Sequence, residues 1–555
     1  METQDPKKSN DSSEGVDGVP APEGPANLID TDYQIGQDNY SGRLGGIEID
    51  LHGRVFAISS IAILFFVVIT LALQNQVAPI FQGIFDYLTT NLSWVFLLGT
   101  NIFLIVCIVL IFTPLAKVRL GGAKATPDFS YIGWFSMLFA AGMGIGLMFY
   151  GVSEPITHYG TSVGGTTVED GVRTDWAPLG AAEGDQEAAK NLAMSASILH
   201  YGLHPWAMYA VVALALGLFS FNKGLPLTVR SIFYPVLGER VWGWPGDIID
   251  ILAVFATLFG LATSLGLGAS QAAAGLSHLF GIPNGDATKV FLIMGITAVA
   301  LGSILLGVDK GVRRLSEINL VLAALLLLFV IVVGPTLLIA TDFFKNLIVY
   351  LGNLPALSNP FGREDANYSQ GWTAFYYAWW IAWSPFVGMF IARVSRGRTV
   401  REFLIAVLLV PSTVSVLWMT AMGGTALELY LGQGVESIKE ATLELQLFMM
   451  LEQLPLAAIT SFVAITLVIV FFITSSDSGS LVIDTMTAGG KVDAPRSQRI
   501  FWAIIEGAIA IALLLGGGLE ALQAMAVSFG LPFTVILLVG CYAIVKGLMS
   551  EPRAQ

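Results

Sequence analysis

Uncharged apolar runs of about 20 residues recur along this chain, and a run of that length is what an α-helix needs to cross a bilayer core of about 30 Å. In hydrocarbon each backbone N–H and C=O must find a partner within its own segment, so such a chain folds as a bundle of spanning helices. Composition agrees: 55% of the 555 residues are hydrophobic and 12% are charged, against about a quarter charged in a soluble domain. An all-α polytopic membrane protein is predicted, with twelve spans near 55–74, 94–116, 129–150, 190–219, 246–278, 288–307, 314–340, 371–394, 400–424, 455–484, 498–517 and 519–547.

Residues 1–50, rich in Asp, Glu, Gly, Pro, Ser and Asn, are expected to form a disordered acidic tail. The membrane domain then covers 51–550 and a short second tail 551–555. Loop charge orients the bundle, because cytoplasmic loops collect Lys and Arg. In and beside the loops after the even-numbered spans lie 18 of the 28 basic residues, among them Lys117, Arg119, Arg230, Arg314, Arg396, Arg398, Lys491 and Lys546. The loop 160–189 on the other side instead carries Glu169, Asp170, Asp175, Glu183, Asp185 and Glu187. Both termini are therefore expected in the cytoplasm of a cell-membrane protein. After span 7, Phe343, Phe344, Leu347, Ile348 and Leu351 recur at helical spacing in a stretch too short to cross, so 343–352 is expected to lie along the interface. Cys107 and Cys541 sit inside apolar runs and indicate no disulfide framework.

Span 3 contains Ala140-Ala141-Gly142-Met143-Gly144-Ile145-Gly146. Three alternating glycines weaken a helix where exposed backbone is costly. A break there frees N–H groups for a carboxylate and carbonyls for a cation, as in discontinuous transporter helices. Close packing of small residues between helices accounts for such a pattern equally well.

Span 8 reads Trp372-Thr373-Ala374-Phe375-Tyr376-Tyr377-Ala378-Trp379-Trp380-Ile381-Ala382-Trp383-Ser384-Pro385-Phe386. At about 100° per residue, Tyr376, Trp379, Trp380 and Trp383 share a face, and Pro385 with Gly388 is expected to interrupt the helix beyond them. A quaternary ammonium has no N–H to donate, so its recognition rests on ring quadrupoles, each contact contributing roughly 0.5–2 kcal/mol. The alternative is an interfacial aromatic belt, which scatters its rings at helix ends. Span 4 adds Trp206 and Tyr209 one turn apart, beyond His200 and His204, which read as packed or hydrogen-bonded histidines. Span 10 adds Thr474-Ser475-Ser476-Asp477-Ser478 in an otherwise apolar segment, hard oxygen ligands suited to Na+ or hydroxyls bonding their own helix.

These residues together resemble the betaine/carnitine/choline transporter family across all twelve spans. The resemblance rests on Gly142-Met143-Gly144-Ile145-Gly146 followed by Tyr150-Gly151 and Glu154-Pro155, on the run Trp372 to Phe386, and on Arg393-Val394-Ser395-Arg396-Gly397-Arg398. It implies two inverted five-helix repeats, spans 3–7 and 8–12, preceded by two extra helices, with alternating access and commonly a homotrimer. By position it implies that Tyr201, Trp206, Tyr209, Trp379, Trp380 and Trp383 enclose a trimethylammonium group, with Gly142, Gly144 and Gly146 near its carboxylate. One Na+ would meet Ala140, Met143 and Phe471 through backbone oxygens and Thr474 and Ser475 through hydroxyls. A second Na+ position falls at Thr257 and Phe386, where Leu261 replaces an expected Thr. Tyr201 stands where betaine carriers of the family usually have another Trp.

The resemblance implies an osmoprotective import of a compatible solute, glycine betaine by Na+ symport, with ectoine, proline, choline or carnitine, and exchange, as alternatives. Gly146, where choline-specific members look to carry Asp, favours a zwitterion. Span 5 holds no Lys or Arg to stand in for Na+. About eight residues follow span 12, so osmosensing through a long basic C-terminal tail is not expected. No cofactor beyond the coupling Na+ and no nucleic-acid partner is expected. An enzyme would need a nucleophile with its base or a metal set, and the sequence offers no such arrangement. A channel would need a continuous polar lining.

Overall fold

The structure, a computed structural model, describes residues 20–142, 144–306 and 309–553. The first ordered element is a hairpin, β1 (Asn39–Leu44) against β2 (Ile47–His52). There follow α1 (Gly53–Ala72), α2 (Gln74–Phe112), α3 (Tyr131–Gly142), α4 (Ile145–Gly164), a two-residue hairpin β3 (Val168–Glu169) with β4 (Val172–Arg173), α5 (Gln186–Leu199), α6 (Leu203–Gly217), the single turn α7 (Tyr234–Leu237), α8 (Trp244–Phe280) and α9 (Asp286–Leu306). The remainder is α10 (Asp309–Val333), α11 (Thr336–Leu357), the short α12 (Ala366–Tyr368), α13 (Ala374–Val394), α14 (Val400–Gln433), α15 (Ser437–Glu440), α16 (Gln446–Glu452), α17 (Ala457–Thr487) and α18 (Arg496–Met549).

Ten helices among the described residues are long and apolar enough to cross a membrane, or eleven if the bent pair α3 and α4 forms one span. Burial divides them by place. The apolar stretch of α1 is 33% buried and that of α9 22% buried, whereas α8 is 78% buried and the α5–α6 stretch 94%. The first group presents Ile61, Phe65, Phe291 and Met294 outward, as a lipid-facing helix does, and the second forms the centre of the bundle.

Several expected boundaries shift for local reasons. Span 2, expected at 94–116, is the second half of a 39-residue helix that begins at Gln74 and runs through Pro79. Span 3 is broken, its halves bent by 63°, with Gly144 in extended conformation as the cap of α4. Span 4, expected as one helix, also breaks. His200 and Tyr201 end a turn after α5, and the Leu203 N–H that opens α6 donates instead to the Tyr350 hydroxyl of α11 at 2.9 Å. The interruption expected at Pro385 and Gly388 does not occur: α13 is continuous to Val394. Proline removes only one helical bond, and a Cβ at Gly388 would lie 2.6 Å from Val212, so this glycine serves close packing of α13 on α6. A π-helical turn, Ser369–Thr373, leads into α13 instead.

The last two spans, expected at 498–517 and 519–547, divide where expected: α18 is two helices that meet at Gly517 and Gly518, whose backbone is not helical. Each half, 496–516 and 519–549, is long enough for one crossing. The amphipathic stretch 343–352 belongs to the longer helix α11, set off from α10 by Gly334-Pro335.

The expected disorder of residues 1–50 does not hold for 20–50, while 1–19 lie outside the described residues. This segment runs across the face formed by the basic loops. The Glu23 N–H donates to the Gly121 carbonyl at 2.7 Å, the Ile29 N–H to that of Lys223 at 3.0 Å, and Lys491 pairs with Asp50 at 2.6 Å. Tyr33 stacks on Trp242 with ring centroids 4.2 Å apart. A polar composition is compatible with order here because the loops supply partners for its backbone. On the opposite face the loop between α4 and α5 is tied down by Arg173, which pairs with Asp175 at 2.8 Å and donates to the Ala177 carbonyl.

Candidate functional site

The breaks in span 3 and span 4 meet the aromatic face of α13 around one central cavity. Its lining comes from six helices and the break after α5: Ala141 of α3, Gly144 to Leu147 at the start of α4, Tyr201, Tyr209 of α6, Ser264 of α8, Trp379, Trp380, Trp383 and Val387 of α13, and Ser475 of α17. The cavity volume is about 90 Å³, so the rings and the start of α4 lie close together around a small space.

Backbone approach sets the ring orientations. Gly260 lets α8 come close to α13, since a Cβ there would lie 3.0 Å from Trp383 and 3.2 Å from Ala382. The Gly260 carbonyl then accepts from the Trp383 indole at 2.9 Å, and the Trp379 indole donates to Ser264 Oγ at 3.2 Å. With their N–H groups committed to α8, both indoles are fixed in the cavity wall. Trp380 is the centre of a second group. Tyr209 lies 5.0 Å from it between centroids, Tyr201 5.8 Å and Trp206 6.0 Å. Trp206 lines the cage from behind rather than the cavity itself and is fully buried.

Across from the rings, α4 begins. Gly144 makes no side-chain cap, and the first intrahelical bond, Met148 N–H to the Gly144 carbonyl at 3.3 Å, leaves the amides of Ile145, Gly146 and Leu147 at the helix start without helical acceptors. The positive end of the α4 dipole therefore faces the cavity. The Trp418 indole fixes this first turn by donating to the Leu147 carbonyl at 2.9 Å. At Gly146 a Cβ would come 3.0 Å from the Tyr201 hydroxyl and 3.4 Å from Trp379, so glycine keeps the backbone against the rings.

A second cavity adjoins the first, sharing Ala141, Trp383, Val387 and Ser475. It brings together Ala140, Phe471, Thr474, Ser475 and Phe386, with Ser316 and Asn319 of α10. Asn319 is 2% exposed and its amide has no hydrogen-bond partner among the described residues. Thr474 Oγ1 donates to the Val470 and Phe471 carbonyls at 3.0 and 3.1 Å, which leaves its lone pairs available. Met143 lies outside the described residues, and Gly142 is the last residue of α3. Thr257 lines neither cavity; it is buried, with its hydroxyl donating to the Ala253 carbonyl at 2.8 Å.

Behind the cage lies a polar cluster that the sequence does not announce as a unit. Glu154 of α4 is fully buried, and one of its oxygens meets His158 Nε2 at 3.1 Å and His200 Nδ1. The other accepts from the Tyr376 hydroxyl at 2.7 Å, and Tyr376 in turn meets the Tyr201 hydroxyl at 3.2 Å. His200 Nε2 faces Thr373 Oγ1 at 3.0 Å. His204 is separate and meets Asn101 Oδ1 at 3.0 Å, so the two histidines of span 4 do not share a ligand. Ser264 and Asn319 are lining residues that spacing alone misses, because each is an isolated polar residue on its helix, and the cluster around Glu154 is missed because His200 and Tyr376 reach it from other segments. Glu154, His200 and Tyr376 each stood out in the sequence, but in separate motifs.

A family described as betaine/carnitine/choline family transporter matches residues 54–553. A protein of Vibrio parahaemolyticus named as a glycine betaine/proline/choline transporter is 64% identical over 542 residues, covering 98% of each chain. Glycine betaine transporter 1 of the same organism is 50% identical, over 94% of this chain and 97% of its own. A glycine betaine transporter of Bacillus subtilis is 42% identical, over 90% of this chain and 94% of its own. With a family match of this extent on a bundle of spanning helices, the chain is a multi-pass membrane transporter, not an enzyme, and belongs to the betaine/carnitine/choline transporter family.

Proposed function

We propose that this transporter imports a compatible solute, glycine betaine foremost, together with Na+. The observation that carries the reading is the opposition, across one cavity, of the indoles Trp379, Trp380 and Trp383 and the uncapped start of α4. A betaine is a trimethylammonium joined through one carbon to a carboxylate. Ring faces attract the cation and free helix amides attract the anion, and neither group does the other's work. The names of the relatives, which include betaine, proline and choline, support the solute class.

Na+ is assigned to the adjoining cavity, where the hydroxyls of Thr474 and Ser475 and the backbone of Ala140 and Phe471 supply hard oxygens, with Met143 as a further candidate. Asn319, buried and without a hydrogen-bond partner among the described residues, supports this assignment, since a buried amide gains from a cation or water beside it. The two cavities share wall residues, so an ion in one stabilises the shape of the other. That sharing is a physical basis for coupling.

The proposed topology is twelve crossings in two inverted repeats. Ten apolar helices plus the bent pair, with α13 added, α18 counted as two and α11 laid along the interface, support the number, and the inverted repeat rests on the family likeness. Strongly aromatic α13 falls short on mean hydropathy because its Tyr and Trp side chains each carry a polar group.

Binding tests this reading directly. Betaine added to purified protein in Na+ buffer changes the fluorescence of the cage tryptophans saturably, and replacing Na+ by K+ weakens the apparent affinity. No saturable change in either buffer contradicts the assignment. Competition by proline, choline, carnitine and ectoine ranks the solutes.

A further inference from the structure

Of the ring hydroxyls lining the cavity, that of Tyr201 has its proton accounted for. A carboxylate only accepts, so Tyr376, 2.7 Å from Glu154, must donate to it. Having spent its one proton, Tyr376 can only accept from Tyr201, 3.2 Å away. The Tyr201 oxygen is thus left with lone pairs alone, in a residue 2% exposed that lines the cavity and lies against Gly146. Glu154 is held in turn by His158 and by His200 on its other oxygen.

Resting on the reading of this cavity as the solute site, we infer that Tyr201, oriented by Tyr376 and Glu154, is a fixed hydrogen-bond acceptor that lets the aromatic cage take, beside betaine, zwitterions whose ammonium carries an N–H. Proline and N,N-dimethylglycine are of this class, and glycine betaine is not. A cage of ring faces alone gives a buried N–H no acceptor, and an N–H taken from water without one is penalised. The indole N–H groups of Trp379 and Trp383 are donors already committed to α8, so they cannot help. Tyr201 supplies the missing oxygen. To a trimethylammonium it offers only the weaker contact of a polarised C–H. Glu154 and Tyr376 are positioning residues here; they do not touch the solute.

The experiment compares a methylation series, betaine, N,N-dimethylglycine and sarcosine, for competition with labelled proline in proteoliposomes. On the unaltered protein, dimethylglycine competes nearly as well as betaine, although it has lost a methyl, and much better than the loss of one ring contact allows. A steady fall in affinity with every methyl removed, which a purely aromatic cage gives, overturns the inference. Tyr201→Phe and Tyr376→Phe each shift the dimethylglycine-to-betaine preference roughly tenfold toward betaine, the value of one hydrogen bond to a charged group. Tyr376→Phe is the sharper arm, since it leaves Tyr201 in place and only releases its proton. An unchanged preference in both variants also overturns the inference. A protein that takes up neither proline nor betaine instead refutes the solute-site reading beneath it.

Discussion

At Trp380 the rings of Tyr201, Trp206 and Tyr209 all converge, within 6.0 Å between centroids. Its role is therefore more than one face of a wall: it spaces the others. Trp380→Leu removes a cation–ring contact of roughly 0.5–2 kcal/mol and loosens its neighbours, so betaine half-saturation rises roughly tenfold or more. Uptake kinetics of the variant beside the parent check this, and unchanged half-saturation contradicts the cage. The indole cluster was legible in the sequence because its members share one helix face, which spacing reveals. Tyr201 and Glu154 were legible only as separate motif members, since the contact that joins them passes through Tyr376 on a third helix. Ser264 and Asn319 gave no signal, as an isolated polar residue in an apolar run reads the same whether it faces a cavity or a helix carbonyl.

Element breaks follow backbone needs that the sequence only partly shows. The glycines of span 3 announced an interruption, whereas the break after α5 depends on Tyr350, about 150 residues away, capping Leu203. Pro385 looked like a break and is not one, because close packing on α6 holds α13 straight. At the kink of α18, Gly518 has φ +64 and ψ −140, and a Cβ there meets no atom within 4 Å. Any cost of Gly518→Ala is thus backbone strain, about 1–3 kcal/mol. The variant melts several degrees lower in detergent, while Gly295→Ala in the open interior of α9 is neutral or stabilising. Equal melting of the two contradicts the strained kink.

The loop between α4 and α5 has a pH limit of its own. The Arg173 guanidinium, with help from the Thr167 and Ala177 amides, holds the Asp175 carboxyl down from 3.8 to about 2. A carboxylate depressed in the folded state contributes stability above its unfolded value and loses it as pH falls through the folded one. The Thr167 and Ala177 amides, bonded to Asp175 at 2.9 and 3.0 Å, lose protection from hydrogen exchange between about pH 4 and pH 2, once intrinsic rates are corrected. Protection that is flat across that window contradicts the pairing.

On the scale of the whole molecule, hydropathy read the bundle nearly complete because lipid enforces it: each crossing must be long, apolar and helical. What it could not supply is which helices meet lipid and which meet each other, and that division places the site. The outward helices α1 and α9 surround a centre in which α3, α4, α6, α8, α13 and α17 contribute to two adjoining cavities. Residues 20–50 escaped the sequence reading for the opposite reason, as their order comes from polar partners on the basic loops rather than from burial. The proposed symport requires the two cavities to work together. In proteoliposomes, labelled betaine is expected to accumulate above the external concentration under an inward Na+ gradient, and to equilibrate only when K+ replaces Na+ or an ionophore collapses the gradient. Accumulation that is indifferent to Na+, or betaine movement that never exceeds equilibrium, would contradict it.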